Sequence, residues 1–347
     1  MPHSRRQRTS PINGNGSHHI PEGSMHIKIA SADTLATAAA EIQLSAVSPK
    51  EKPWDTHRAN SDRVRQLYES GDWQRYAERV KNCSQWLEFA PIANQAGSLD
   101  LKLRSARFCR VRQCPVCQWR RSLMWRARFF QAVPKLLTAH PKSRFIFLTL
   151  TVRNCAIADL RSTLKAMNKA WELLSKRKEF PALGWVKATE VTRGKDGTAH
   201  PHFHAILMVP ESYFKKGYLS QARWTELWQK SLRVEYIPVV NVKAVKARPG
   251  SEGDATAGIT AAVLETLKYG VKESDLIADR EWLIELTRQL HKTRAVAVGG
   301  LMREFIREEE PDDLIHDDEE TQLNETFSTL YFGWRERVEK YIYESRE

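Results

Sequence analysis

GWVKATEVTRGKDGTAHPHFHAILMV, residues 184–209, holds two strand-like runs, Gly184–Thr192 and Thr198–Val209, on either side of Gly194-Lys195-Asp196-Gly197. Apolar and β-branched residues around a short polar turn with glycines at both ends predict a β-hairpin. The second run carries HPHFH at 200–204 and passes at once into the apolar Ala205–Val209. Alternate residues of a strand face the same way, so His202 and His204 share a face and Phe203 points to the opposite layer. Two imidazoles so placed can take adjacent positions on one metal ion. Glu190, on the partner run at a distance from the turn that could put it opposite them, would add a carboxylate, and the set suits a hard divalent ion such as Mg²⁺ or Mn²⁺. His200 shares the face as a third ligand or as a second-layer partner. One half-buried histidine bonded to backbone would need no metal; three at period two on an apolar strand favour one.

Strands and helices alternate around this hairpin. Arg144–Val152, RFIFLTLTV, reads as a central strand, Ala158–Lys176 as an amphipathic helix, Gln221–Val234 as a helix and Ile237–Val245 as a strand. Ala257–Lys272 has a helical pattern, and Arg58–Trp86 reads as helical from Val64, Leu67, Tyr68, Trp73, Tyr76 and Val80. The expected class is α+β, a central and mainly antiparallel sheet flanked by helices, behind an N-terminal helical and zinc-knuckle segment. The expected boundaries are a disordered tail over 1–55, a helical, zinc-binding basic segment over 56–130, the α+β domain over 140–295, an acidic linker over 300–325 and an aromatic-rich helix over 326–347.

Charge is distributed unevenly along the 347 residues, whose net charge is +12. Leu101–Ala158 holds 13 Lys/Arg and no Asp or Glu, whereas Glu308–Glu320 holds nine acidic residues and no basic one. A one-signed surface collects a polyanion, so nucleic acid is the expected partner. The acidic run is a solvated linker or a DNA mimic that restrains the basic surface. No apolar run approaches the roughly 18 residues of a membrane span, and the N-terminus lacks the apolar stretch of a secretory signal. Five cysteines, an odd number, fit a reducing, cytoplasmic setting better than a disulfide scaffold.

Four of those cysteines form a spaced set. CRVRQCPVC contains Cys109, Cys114 and Cys117, and its C-P-x-C knuckle looks like half of a zinc site with Cys83 as the fourth ligand. A redox role for the C-x-x-C pair is the alternative. Cys155 reads as a lone buried thiol. Arg110, Arg112, Arg120, Arg121, Arg126 and Arg128 surround the knuckle, with Trp119 and Trp125 among them. Arginine suits phosphate and tryptophan suits base stacking, although the tryptophans equally suit packing of a helix against a core. Downstream, LETLKYGVK (264–272) places Glu265 and Tyr269 four apart, Lys272 three further on and Lys268 beside the tyrosine. Such a face can be merely solvated. Beside a metal, the phenol could attack phosphorus and the carboxylate could activate water.

FLTLT (147–151), HPHFH (200–204) and ETLKYGVK (265–272) together resemble, in order, the three motifs of HUH endonucleases, most closely the initiators of rolling-circle plasmid replication. The similarity covers about residues 80–290. It implies His202 and His204 as the HUH pair, Tyr269 as the nucleophile that stays on a 5′ phosphate, and Lys272 either lowering the phenol pKa or neutralising phosphate. A single tyrosine with a glutamate four residues earlier is similar to the subgroup that uses Glu265 to activate water at termination. Similar plasmid initiators also carry a cysteine cluster before the first motif. The implied partners are single-stranded and duplex origin DNA and a host helicase, since no G-x-x-x-x-G-K-[ST] is present; a homodimer is compatible. A transposase or relaxase of the same chemistry, and a non-catalytic zinc-containing DNA-binding regulator, are the competing readings.

Overall fold

The computed structural model describes residues 42–93, 99–245, 255–268, 270–306, 314 and 328–345. After a single turn of helix at Leu44–Val47 come α1 (Pro53–Tyr68) and α2 (Gln74–Lys81). Strands β1 (Trp86–Ala93) and β2 (Leu99–Ala106) precede the long α3 (Pro115–Ala139). Then follow β3 (Arg144–Thr151), α4 (Leu160–Ser175), β4 (Gly184–Arg193), β5 (Ala199–Val209), α5 (Gln221–Leu232) and β6 (Val240–Ala244). The chain continues through α6 (Ala255–Thr266), α7 (Glu273–Ile277), α8 (Arg280–Leu290) and β7 (Val296–Gly300), and ends in β8 (Leu330–Arg335) and β9 (Lys340–Glu344).

The strands form two antiparallel sheets, of order β2-β1-β8-β9 and β6-β3-β5-β4-β7. The expected α+β class with antiparallel sheets flanked by helices is therefore what the chain adopts. The five-stranded sheet places the predicted hairpin at its middle. One face carries Leu148, Leu150, Phe203, Ala205 and Leu207 against Met167, Trp171 and Leu174 of α4 and Trp228 of α5. The opposite face carries Phe145, Val186, Ile206 and Met208, covered by Phe129, Val133 and Leu136 of α3 and Ile259 and Val263 of α6. That second cover stops short of the far end of β4 and β5, where the apolar sequence gives way to Glu190, His202 and His204. Both sheet faces thus exclude water along most of their length, and the polar residues lie where one cover ends. No helix among the described residues is long and apolar enough to cross a membrane.

Four expectations need correction. A helix is expected over 326–347, yet the described part of that stretch, 328–345, forms β8 and β9, with Phe332, Trp334 and Tyr341 buried. Inward-facing aromatics here recur at every second position, and pairing of β8 with β1 completes a sheet that no local signal announces. Second, the basic segment over 56–130 is not all helical, because β1 and β2 lie within it, and Arg58–Trp86 breaks into two helices around Gly71, whose φ is +69°. Third, ordered structure begins before residue 56, with Trp54 fully buried; the expected tail up to residue 41 lies outside the described residues. Fourth, the helix expected over Ala257–Lys272 ends at Thr266, so Lys272 is not on it and instead immediately precedes α7. Of the acidic run Glu308–Glu320, only Leu314 is described; it is buried, and its carbonyl accepts a 2.9 Å bond from Arg120 Nε.

Candidate metal centres and the tyrosine loop

The register of the hairpin sets Glu190 directly opposite His202 and Ala188 opposite His204. Directly paired residues share a face, so the carboxylate lies between the two rings. His202 Nε2 is 3.1 Å and His204 Nε2 3.0 Å from the same oxygen, Glu190 Oε2. Each ring is held from behind: His204 Nδ1 lies 3.1 Å from Thr149 Oγ1 of β3, and His202 Nδ1 lies 3.3 Å from the carbonyl of His200. Phe147 stacks on His204 with centroids 5.4 Å apart. These contacts fix both ring orientations with the Nε2 atoms facing inward, the arrangement that outer contacts impose on metal-binding histidines. The three ligand atoms lie within 4.8 Å of one another, and all three residues are buried. Burial alone would push the Glu190 carboxyl up, but hydrogen bonds from His202 and His204 and the nearby Lys268 ammonium hold it well below the usual carboxylate range. This pocket can hold a cation without first removing a proton from the glutamate.

His200 stands apart from the set. Its Nδ1 lies 2.6 Å from Asn154 Oδ1, and burial together with the neighbouring His202 lowers its pKa. Of the two candidates for third ligand, Glu190 is the one brought to the imidazole pair.

Tyr269 itself lies outside the described residues, but both of its chain neighbours are placed. Lys268 Nζ is 3.2 Å from Glu190 Oε2 and 2.8 Å from Glu265 Oε1. Lys268 is partly desolvated, yet the two carboxylates raise its pKa. Gly270 accepts a 2.9 Å hydrogen bond at its carbonyl from Val191 N of β4. The segment after α6 is therefore tied to β4 within a residue of Glu190. Glu265 is half exposed at the end of α6, and Lys272 is exposed.

A second donor set lies in the N-terminal part of the chain. The sulfurs of Cys83, Cys109, Cys114 and Cys117 all lie within 4.8 Å of one another. Cys83–Cys117 and Cys109–Cys117 are 3.6 Å apart and Cys83–Cys114 3.7 Å. Arg110 adopts the left-handed region at φ 56°, which turns the knuckle so that the Arg110 and Val111 amides point at Cys117 Sγ (3.3 Å) and Cys109 Sγ (3.4 Å). Amides aimed at sulfur favour thiolates. Cys155 is partly buried, free and separate from this set.

The expected DNA-binding residues divide into two groups. Trp119 is 9% exposed and packs edge-on to Trp54 (4.9 Å) and flat on His57 (4.7 Å). Arg120 is buried over Trp54 and bonded to Leu314. Both serve the core, and neither is on a surface that DNA could reach. Arg112 is largely enclosed, its Nη1 bonded to the carbonyls of Leu290 and Thr293. Arg126 reaches the Leu264 carbonyl at 3.5 Å and ties α3 to α6. Arg110 is exposed, and Arg121 is partly so. Trp125, the other tryptophan of this segment, is half-buried beneath Arg128 at 5.4 Å.

Comparison with known proteins places the chain in a family. A family model described as Rep_1, replication protein, matches residues 100–342. A "Protein rep" of Lactiplantibacillus plantarum is 35% identical over 292 residues, 80% of this chain and 89% of the relative. Another, from Lentilactobacillus hilgardii, is 31% identical over 308 residues, 84% of this chain and 95% of the relative. One from Streptococcus pneumoniae serotype 2 is 33% identical over 264 residues, 74% and 79% of the two chains. No solved structure matches the chain. The chain belongs to the Rep_1 family of replication proteins, and with that its likeness to the rolling-circle plasmid replication initiators holds.

Proposed function

We propose that this chain starts plasmid replication by cutting one strand of origin DNA at a site built from Glu190, His202, His204 and the segment around Tyr269. The observation that carries this reading is the anchoring of both neighbours of Tyr269, Lys268 and Gly270, on β4 beside a buried His–His–Glu donor set. That set, two imidazoles and a carboxylate, fits a divalent ion such as Mg²⁺ or Mn²⁺. A bound ion would polarise the scissile phosphate and offset the charge that develops on its oxygens.

The residues then divide the work. The Tyr269 phenolate attacks phosphorus, a P–O bond to tyrosine forms, and the bond to the 3′ oxygen breaks to leave a 3′-OH that primes synthesis. Lys268, facing Glu190, adds positive charge next to the reacting phosphate. Glu265, joined to Lys268 at the end of α6, takes a proton from water in the later hydrolytic cut, a role its carboxylate next to the tyrosine segment supports. Lys272, exposed at the start of α7, either lowers the phenol pKa or neutralises phosphate. Unwinding would fall to a host helicase.

The cysteine set fits structural zinc. A tetrahedral ion with Zn–S bonds of about 2.3 Å needs sulfurs about 3.8 Å apart, close to the 3.6–3.7 Å seen. Zinc there would crosslink α2, the knuckle and α3.

The test uses a supercoiled plasmid bearing the cognate origin with Mg²⁺ or Mn²⁺. Wild-type protein should nick it and form a covalent adduct, and Tyr269→Phe and the His202→Ala/His204→Ala double variant should do neither. Unchanged products from Tyr269→Phe would overturn the proposal.

A further inference from the structure

A cleft of about 470 Å³ opens between the cysteine knuckle and the segment that joins α8 to β7. Arg79 of α2 contributes to one wall, and Arg110 and Arg112 of the knuckle to another. Arg121 and Arg128 project from α3, and Lys292 and Arg294 from the α8–β7 segment. Seven Lys/Arg side chains thus line it, and among the described lining residues none is Asp or Glu. Elements from distant parts of the sequence converge here, so the concentration of charge is a product of the fold. Burial, and after it the neighbouring Arg121, lower the Arg112 pKa to about 10. Two aromatic rings line the cleft, each with a guanidinium over it that a base would displace or stack beside: Tyr76, backed by Tyr68 and Trp73, with Arg79 at 5.9 Å from its ring centre, and Trp125 with Arg128 at 5.4 Å.

The cleft also leads somewhere. A smaller hollow shares Arg112, Arg121 and Trp125 with it and continues to Thr189, Lys268 and Gly270. Lys268 is the residue that contacts Glu190. The cation- and aromatic-lined cleft therefore continues to both chain neighbours of Tyr269, and one of them, Lys268, joins it to Glu190 of the His–His–Glu set.

We infer that this cleft is the track for a single DNA strand, gripping its phosphates with Arg79, Lys292 and Arg294 and stacking unpaired bases on Tyr76 and Trp125 as the strand enters the cutting site. A cation-lined groove with aromatic platforms holds single-stranded nucleic acid without reading its sequence. A duplex, with its bases stacked inward, could use neither aromatic face. The inference rests on the proposed role in cutting one strand, and it adds residues on α2 and the α8–β7 segment that no motif marks.

The experiment measures anisotropy of a labelled short single-stranded oligonucleotide, and of its duplex, with the full chain carrying Tyr269→Phe and no added Mg²⁺ or Mn²⁺. Lys292→Glu/Arg294→Glu should weaken single-strand binding about tenfold or more and lower the slope of log affinity against log salt by about 0.7 for each phosphate no longer neutralised. Trp125→Leu should weaken it with the salt slope unchanged. Lys215→Glu/Lys216→Glu, an equal charge change on another exposed segment, controls for net charge. Cleft variants no weaker than this control, or a loss that falls equally on the duplex, would overturn the inference. Zinc content and circular dichroism identify a variant that fails to fold, and in that case Arg294→Gln and Lys292→Gln, each alone, decide by the same criteria. Nicking of a supercoiled origin plasmid by the Tyr269 forms of these proteins is scored in parallel. Normal nicking with insensitive strand binding sinks this inference alone, and cleft-dependent strand binding without any nicking sinks only the proposed enzymatic function.

Discussion

His57 Nδ1 and Glu273 Oε1 lie 2.5 Å apart across 216 positions of the chain, with both side chains nearly buried. Asn60 Nδ2, one turn along α1, donates to the other oxygen of the same carboxylate. The next residue, Ser61, touches Cys114 Sγ at 3.4 Å and accepts from Val116 N at 3.3 Å. A single helix therefore grips the cysteine knuckle and the first residue of α7, directly after Lys272. Glu273→Gln should keep the fold and the metal content of the cysteines yet slow nicking about tenfold with little change in DNA affinity, because only the aim of the tyrosine segment is loosened. Glu273→Ala should in addition lower stability by about 1–3 kcal/mol, since it leaves buried polar partners unmatched. Single-turnover nicking with thermal melting of both variants checks this; a wild-type rate in both would refute it.

Lys187 sits in the core on the face of β4 opposite Glu190, its ammonium 3.7 Å from the Phe203 ring centre and 2.7 Å from Asn168 Oδ1. Burial lowers its pKa from 10.5 to about 7. An amine whose folded pKa lies below its unfolded value binds fewer protons when folded, so stability should climb as pH rises from about 7 toward 10. Lys187→Met should flatten that climb and stabilise the protein at pH 7 by an amount on the order of a few kcal/mol. Urea denaturation at pH 7 and pH 9.5 measures both, and identical pH slopes for variant and wild type would contradict the expectation.

Glu190 is the hinge of the metal set. Glu190→Ala should abolish nicking and weaken Mn²⁺ binding, read by titration calorimetry on the protein without DNA, while leaving the hairpin folded. Retained Mn²⁺ affinity would remove Glu190 from the ligand set.

Purified protein should contain about one zinc per chain, and Cys114→Ser should reduce that content and the melting temperature together, because zinc bound only by the folded chain adds its binding free energy to stability. Fully folded, metal-free wild-type protein would exclude zinc as the structural element.

Glu265→Ala should still cut and form the tyrosine adduct but accumulate multimeric products that were never terminated. Monomeric circles at the normal yield from that variant would deny the glutamate its role in activating water.

The hairpin and the candidate donor residues on it could be read from the chain itself. Strand periodicity is two, so His202 and His204 on one face, with Glu190 as the candidate opposite them, were legible locally, whereas the exact pairing of Glu190 with His202 was decided by the register of the folded hairpin. The cysteine set was legible for a similar reason, since three of its four members lie within nine residues. Local pattern could not place what depends on distant partners. The aromatic C-terminus reads equally as helix or strand until β1 is there to pair with it. Trp119 and Arg120 look like DNA ligands until Trp54 and Leu314 enclose them. The cationic cleft and the His57–Glu273 clamp join segments far apart in sequence. Such contacts form because burying apolar surface brings helices and sheets together, and the polar groups carried along then meet partners that no local spacing specifies.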